Sequence, residues 1–378
     1  MKLVSTSIGF SDWTAFAMAL VVSVVATPIV RLCALRWRLG DKPNGRRLHA
    51  QPIPHLGGIA LFLAVAAAIA PFAGRWFPAG VQASLLVKAV PAVLVIVALG
   101  LVDDARNLRA RHKLLVQLVA ALMLVAVGFR LFTGVWLLDL SAAVVSVLFI
   151  LGMLSSVNLV DGHDGLAGGI SLLSAASLAL IGSMLGIPGV TWVSLAVCGA
   201  CLGFLFFNFP PGRIYMGDTG SMLLGLLLAL TACLVTMRAP SLNMFAAVCF
   251  VLGVPLLDTT LAIARRVVLR SPLFAADTLH MHHVLRSAGL SPRRTLFVLY
   301  GLQAFFCLLG VGASMGWVLP VIVGLGFVSV VFVSFLRLMV EGRTMAAPAV
   351  AHHIAPGTIP FQSTFSAGLP ERRTSVGR

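Results

Sequence analysis

Eleven apolar runs dominate this chain of 378 residues, at about 13–35, 56–74, 84–102, 114–132, 136–157, 166–186, 190–207, 221–237, 242–264, 296–314 and 317–336. Each approaches the roughly 20 residues needed to cross a bilayer core as a helix. A chain patterned in this way has little choice of fold, because inside a membrane every backbone polar group must be satisfied internally. We therefore expect an all-α polytopic membrane protein of about eleven transmembrane helices. Composition agrees, since only 10% of residues are charged, against about 25% in soluble domains.

The basic residues report orientation. Of 27 lysines and arginines, 22 fall on one side of the alternating loops and 5 on the other. The positive-inside rule then puts the amino terminus outside and the carboxyl terminus in the cytoplasm. The net charge of +15 is spread over interspan loops without a recognition motif, which argues for lipid phosphate and against nucleic acid as its partner. Residues 1–343 read as one integral-membrane domain and 344–378 as a disordered cytoplasmic tail. The first run has spanning length and is followed by basic residues, so it reads as a retained span rather than a cleaved signal. All six cysteines lie in apolar runs, and Cys198-Gly-Ala-Cys201 reads as packing despite its redox-like spacing. No internal repeat is visible.

The carboxylates are confined to a few places. With the orientation above, the segments 36–55, 103–113, 158–165, 208–220 and 265–295 become cytoplasmic loops that gather the chemistry on one face. Asp103-Asp104 is a repelling pair at a span end, which needs a cation nearby or solvated arginines. Lys113 follows, either as a phosphate ligand or as a positive-inside residue. The stretch NLVDGHDGLAGG carries Asn158, Asp161 and Asp164 among glycines, suited to a hard cation, a nucleobase or a tight turn. In NFPPGRIYMGDTGS, Asn208 precedes a Gly-Asp-Thr-Gly-Ser helix start where Asp218 can hold a magnesium ion against an anion or act as a helix cap. His280, His282 and His283 lie within four residues of one another, after Asp277, in arginine-rich surroundings that favour phosphate over a transition metal. Pro255 and Asp258 interrupt the ninth run and predict a kink there. Asp258 is a functional candidate because an acid at membrane depth is expensive.

Six segments in order, RRLHAQPIPHLGG, LVDDARNLRARHKLLVQ, NLVDGHDGLAGG, FNFPPGRIYMGDTGS, VPLLDTTLAIARR and SPLFAADTLHMHHVLRSAGLS, resemble the polyprenyl-phosphate N-acetylhexosamine 1-phosphate transferases. The histidine segment with VLRSAGLSPRRT is similar to the WecA-like branch, which transfers N-acetylglucosamine 1-phosphate. The muramoyl-pentapeptide branch carries an extra lysine where this chain has Ala105-Arg106-Asn107. The resemblance implies an Mg2+-dependent transfer, with Mn2+ the alternative ion, from UDP-N-acetylglucosamine to undecaprenyl phosphate at the cytoplasmic face of a bacterial inner membrane. UMP is released and a lipid-linked surface glycan such as O-antigen is begun.

The resemblance also implies roles. Asp218 and Asn158 become metal ligands, and Asp161 and Asp164 hold the uridine and the glycine-rich loop. Asn208 becomes substrate-binding, and Lys113, His280, His282 and His283 neutralise phosphates. Asp103 is the base or nucleophile, with Asp104 beside it. Other UDP-N-acetylhexosamines, such as the N-acetyl-fucosamine and N-acetyl-quinovosamine donors, stand as alternative substrates, a homodimer as an open assembly, and a membrane transporter as the rival class.

Overall fold

The structure, a computed structural model, describes residues 10–37, 53–70, 81–270 and 280–346. Among them every regular element is an α-helix. The helices are α1 (Phe10–Arg36), α2 (Gly57–Ile69), α3 (Val81–Arg106), α4 (Ala110–Val127), α5 (Trp136–Asp139), α6 (Ala142–Val160) and α7 (Leu166–Met184). They continue as α8 (Pro188–Asn208), α9 (Gly217–Arg238), α10 (Leu242–Val251), α11 (Gly253–Leu269), α12 (Met281–Ser287), α13 (Pro292–Ser314) and α14 (Val318–Ala346). Residues up to Phe332 form one compact unit; a second begins at Val333 and contains, among described residues, the end of α14. The tail expected from 344 is helical to Ala346, and the rest of it lies outside the described residues.

All eleven apolar runs contain helix. Nine of the described helices have the length and hydropathy to cross a membrane, and the bent pair of α10 and α11 makes a tenth. The run at 56–74 is helical over 13 described residues in α2, about 20 Å at the usual rise per residue. Lys88 and Pro91 leave α3 unbroken. The segment 103–113 is largely helical, being the last turn of α3 and the first of α4.

The central element is α9. Its apolar window is 94% buried within the protein, and it packs against α2, α3, α6, α7 and α8. Small residues permit this crowding. A Cβ on Gly58 would lie 2.2 Å from the Gly220 nitrogen, and one on Gly100 would lie 2.3 Å from the Thr219 Cα. Both contacts fall on the first turn of α9, so α2 and α3 approach this helix backbone to backbone where the polar motif begins. Cys198 and Cys201 are buried free thiols in α8, as their apolar setting implies.

The predicted kink exists, displaced by a few residues. Leu252 separates α10 from α11, and the two helices meet at 85°. Pro255 falls in the first turn of α11, where a missing N–H is tolerated. Gln303 of α13 binds the groups freed by the break. Its Oε1 accepts from the Val254 N–H at 3.1 Å, and its Nε2 donates to the Val251 carbonyl at 2.7 Å. Ser174 adds its hydroxyl to the same carbonyl at 2.8 Å. One fully buried amide thereby satisfies the broken ladder inside the apolar region.

Close packing at Gly100 gives a direct test. Gly100→Ala should lower the melting temperature in detergent, with destabilisation of about 1–3 kcal/mol from overpacking. Gly152→Ala, whose added Cβ meets nothing within 4 Å, should be neutral or slightly stabilising because alanine is the better helix former. Equal melting curves for the two variants would overturn this account of the α3–α9 contact.

Candidate active site

The site begins at the amino-terminal turn of α9. A helix start leaves several N–H groups without intrahelical partners, and here a carboxylate from another helix receives them. Asp104, in the last turn of α3, accepts from the Asp218 N–H at 2.7 Å, the Thr219 N–H at 3.2 Å and the Thr219 hydroxyl at 2.6 Å. Gly217 enters this turn at φ +74°, and a side chain there would meet the His55 carbonyl and the Asp104 carboxylate. The neighbouring chain pairs alongside: Gly57 N–H donates to the Tyr215 carbonyl at 3.0 Å, Gly58 N–H to Met216 at 2.7 Å, and Tyr215 N–H to Pro54 at 2.9 Å.

With its backbone held, Asp218 presents its side chain to two donors. Asn158, in the last turn of α6, donates Nδ2 to Oδ1 at 2.8 Å and to the Ser221 hydroxyl at 3.0 Å. Lys113, in the first turn of α4, donates Nζ to Oδ2 at 2.5 Å. The same ammonium pairs with Asp103, whose other oxygen accepts the Leu108 N–H at 2.6 Å. Lys113 thus bridges two carboxylates, one of them buried.

These groups suit a hard cation by their chemistry, because they offer carboxylate and amide oxygens, and a cationic charge already sits between Asp103 and Asp218. Among the described residues no three His, Cys, Asp or Glu side chains converge as a complete metal cage.

Behind this cluster the loop residues 161–164, with Asn208 and residues 215–217, form the wall of a cavity of about 620 Å3 that also borders His55, Asp104 and Asp218. Asn208 is the clamp of this wall. It accepts the Gly165 N–H on Oδ1 and donates Nδ2 to the Ile214 carbonyl, both at 2.8 Å. Asp164 accepts the Gly212 N–H at 2.9 Å, and the Tyr300 hydroxyl of α13 donates to the Gly165 carbonyl at 2.6 Å. Gly165 adopts φ +77° at this junction. Asp161 faces the cavity, where burial, and then the charges of Asp104 and Asp164, push its carboxyl well above the ordinary carboxylate range.

The three histidines occupy three different environments. His280 is buried and its Nδ1 lies 2.8 Å from Asp258 of α11. His282 is buried against Gly162, its Nε2 without a hydrogen-bond partner, and a Cβ on Gly162 would approach that atom to 2.7 Å. His283 is exposed. The His282 ring lies 6.3 Å from that of His163 and 4.1 Å from that of His283. Burial, with His283 next, lowers His282 to about 4.

The structure therefore joins Asp103, Asp104, Lys113, Asn158 and Asp218 in one network and puts Asp104, Asp161, Asp164, Asn208 and Asp218 on one cavity. Both ends of the Asn208 amide are engaged by backbone. Asp277 and residues 38–52 lie outside the described residues. Reasoning from sequence omitted His55, Tyr215, Thr219, Ser221 and Tyr300 from the site. The first four lie inside the motif segments and were within reach as flanking polar groups. Tyr300 carries no local signal, being 135 residues from its partner.

The neutral His282 has a measurable consequence. The folded imidazole titrates near 4 and the unfolded one near 6.5, so acid favours unfolding. Stability should fall as pH drops through about 6.5 and finish falling below about 4. Between pH 7.5 and 5 the wild type should lose about 2 kcal/mol that His282→Gln does not; identical acid sensitivity of the two melting curves would refute the assignment.

Comparison with known proteins places this geometry. Residues 86–236 match the model of glycosyl transferase family 4. The chain is 34% identical over 294 residues to a probable undecaprenyl-phosphate N-acetylglucosaminyl 1-phosphate transferase of Bacillus subtilis, covering 76% of this chain and 80% of that protein. It is 34% identical to the decaprenyl-phosphate N-acetylglucosaminephosphotransferase of Mycobacterium tuberculosis, over 76% of this chain and 79% of the relative. A phospho-N-acetylmuramoyl-pentapeptide-transferase of Desulforamulus reducens matches at 31% over 81% of this chain and 96% of its own. On this similarity, and on the helix ends that bring its acidic motifs together, the chain belongs to the polyprenyl-phosphate N-acetylhexosamine 1-phosphate transferases of glycosyl transferase family 4.

Proposed function

We propose that the protein transfers N-acetylglucosamine 1-phosphate from UDP-N-acetylglucosamine to undecaprenyl phosphate, releasing UMP and starting a lipid-linked glycan such as O-antigen. We place the site at the cytoplasmic face of a bacterial inner membrane, on the side richer in arginine and lysine. The observation that carries the reading is the position of Asp218. It stands at the start of the most buried helix, bound by Lys113 and Asn158 and bordering the cavity walled by the 161–164 loop. A lipid phosphate in the bilayer and a soluble nucleotide can meet there.

In this reaction a P–O bond forms between an oxygen of the lipid phosphate and the phosphorus bearing the sugar, while the P–O bond to UMP breaks. The acceptor monoester has a second pKa of about 6, so at neutral pH it is largely dianionic and needs little help from a base. The hydrogen bonds agree with that: both oxygens of Asp104 are spent on the α9 turn, and Asp103 is spent on Lys113 and Leu108. We assign Asp104 to positioning Asp218. Asp103 holds Lys113, which can turn its one remaining donor toward phosphate oxygen. Asp161, whose carboxyl is raised above the ordinary carboxylate range chiefly by burial, borders the space we assign to the donor nucleotide. Asp218 and Asn158 would hold Mg2+, which when bound withdraws charge from the diphosphate and stabilises the leaving UMP.

The test is transfer by purified protein in detergent, given undecaprenyl phosphate and a panel of radiolabelled UDP-N-acetylhexosamines. Label should pass from UDP-N-acetylglucosamine into the organic phase with stoichiometric UMP, and chelation should abolish it. Asp218→Asn should reduce kcat by at least about 10²-fold and keep the fold, because Asp104 binds backbone at that position. Preference for another donor would correct the substrate, full activity of Asp218→Asn would remove the metal assignment, and folded protein without any lipid product would reject the reaction.

A further inference from the structure

Three histidines in a four-residue stretch present the same chemistry in sequence, and the structure treats them unequally. We propose that Asp258 is the positioning residue of this cluster: it fixes His280 in one orientation, with the proton on Nδ1, and so leaves Nε2 of this imidazole as the nitrogen that can meet phosphate. The proposal rests on the transferase reading for the identity of that phosphate.

The geometry of Asp258 supports it. The side chain is 4% exposed and both its oxygens are committed to the histidine segment. Oδ2 lies 2.8 Å from His280 Nδ1, and Oδ1 accepts the Met281 N–H at 2.8 Å. One carboxylate therefore grips the ring of His280 and the backbone beside it, fixing where α12 begins as well as how the ring is turned. An ionised carboxylate only accepts hydrogen bonds. Nδ1 must then carry a proton whether the imidazole is neutral or cationic, and Nε2, on the opposite edge of the ring, is left as the reactive nitrogen.

The other two histidines lack such a partner. His282 lies parallel to His280 at 6.1 Å between ring centroids, pressed on Gly162. Its buried Nε2 has no hydrogen-bond partner, and the depressed basicity described above keeps it neutral. His283 is exposed beside it. The placement of Asp258 is itself built by the fold. The 85° turn after Leu252, held by Gln303, sets the direction of α11, and Asp258 follows in its second turn.

Asp258→Asn separates positioning from mere structure. The amide oxygen can still accept the Met281 N–H, but the amide NH2 then faces His280 Nδ1 and drives the proton to Nε2. With 15N-histidine-labelled protein and His280→Gln for assignment, the wild-type spectrum should show His280 protonated on Nδ1, and the Asp258→Asn spectrum should show it protonated on Nε2. The variant should melt within a few degrees of wild type, lose on the order of 10²-fold in kcat, and change KM for the nucleotide sugar by less than about 3-fold.

Wild-type kcat in Asp258→Asn would overturn the proposal, as would a wild-type His280 protonated only on Nε2, a measurement that needs no variant to fold. Lost activity with an unchanged tautomer would reduce Asp258 to a structural residue and also overturn it. Absence of lipid product from the wild type would instead reject the transferase reading, and is told apart because the nitrogen spectrum reports the tautomer without turnover.

Discussion

The site depends on a carboxylate of one helix receiving the first-turn donors of another. Asp104 closes the end of α3 and accepts three hydrogen bonds from Asp218 and Thr219, so the amino terminus of α9 ends in protein rather than in water. A helix start carries partial positive charge, which makes the acid welcome there and fixes α9 along its axis. Other features follow from that docking. Gly58 and Gly100 must stay small so that α2 and α3 can reach the same turn. Asn158 and Lys113 find Asp218 at hydrogen-bonding distance because its backbone is already held. The cluster of Asp103, Asp104 and Asp218 then carries more negative charge than Lys113 and a helix end compensate. A diphosphate would be repelled by that excess, which is the electrostatic reason we propose a divalent cation for this reaction.

A second constraint lies deeper. Breaking a helix inside an apolar layer frees backbone groups that water cannot reach, yet α10 and α11 are broken at Leu252. Gln303 makes the break tolerable by binding Val251 and Val254 on its two sides. The turn it sustains is what brings Asp258 to His280 and Met281. A polar residue buried in α13 and a histidine near the cavity are in this sense parts of one arrangement, linked through the direction of α11.

Much of this was legible in the sequence, and the limits have physical causes. Apolar runs of spanning length locate the helices because length and hydropathy are local properties. The motif residues were found because acids, asparagines and glycines stand out in an apolar chain. Partnerships were not legible. Asp104 and Asp218 are 114 residues apart, and Asp103 and Asp104 are indistinguishable as a dipeptide, although one caps a helix and the other grips a lysine. The break was expected at Pro255 and occurs at Leu252, because proline is tolerated in a first turn and the break is stabilised by Gln303, a residue with no local mark. The histidines look alike in sequence and differ only through what packs against them. The amide of Asn208, which lines the cavity, is bound by the backbone of Gly165 and Ile214, partners that the sequence does not mark.

The distribution of charge also bears on the rival reading as a transporter. Transport demands ionisable groups along a path near the middle of the bilayer, commonly where helices are broken. This protein does have a broken helix, but the side chain bound to the break is an uncharged amide whose two ends are both satisfied by backbone. The acid nearest to it in sequence, Asp258, is turned to the histidine segment and fully engaged there. The remaining described acids of the network lie in the last turn of α3, the loop after α6 and the first turn of α9; Asp104, Asp161, Asp164 and Asp218 line one cavity, and Asp103 is joined to them through Lys113. Charge gathered at one end of the helices, with a break whose freed groups are closed, favours the proposed transferase over a conduit. A conduit would need the charges spread along its length.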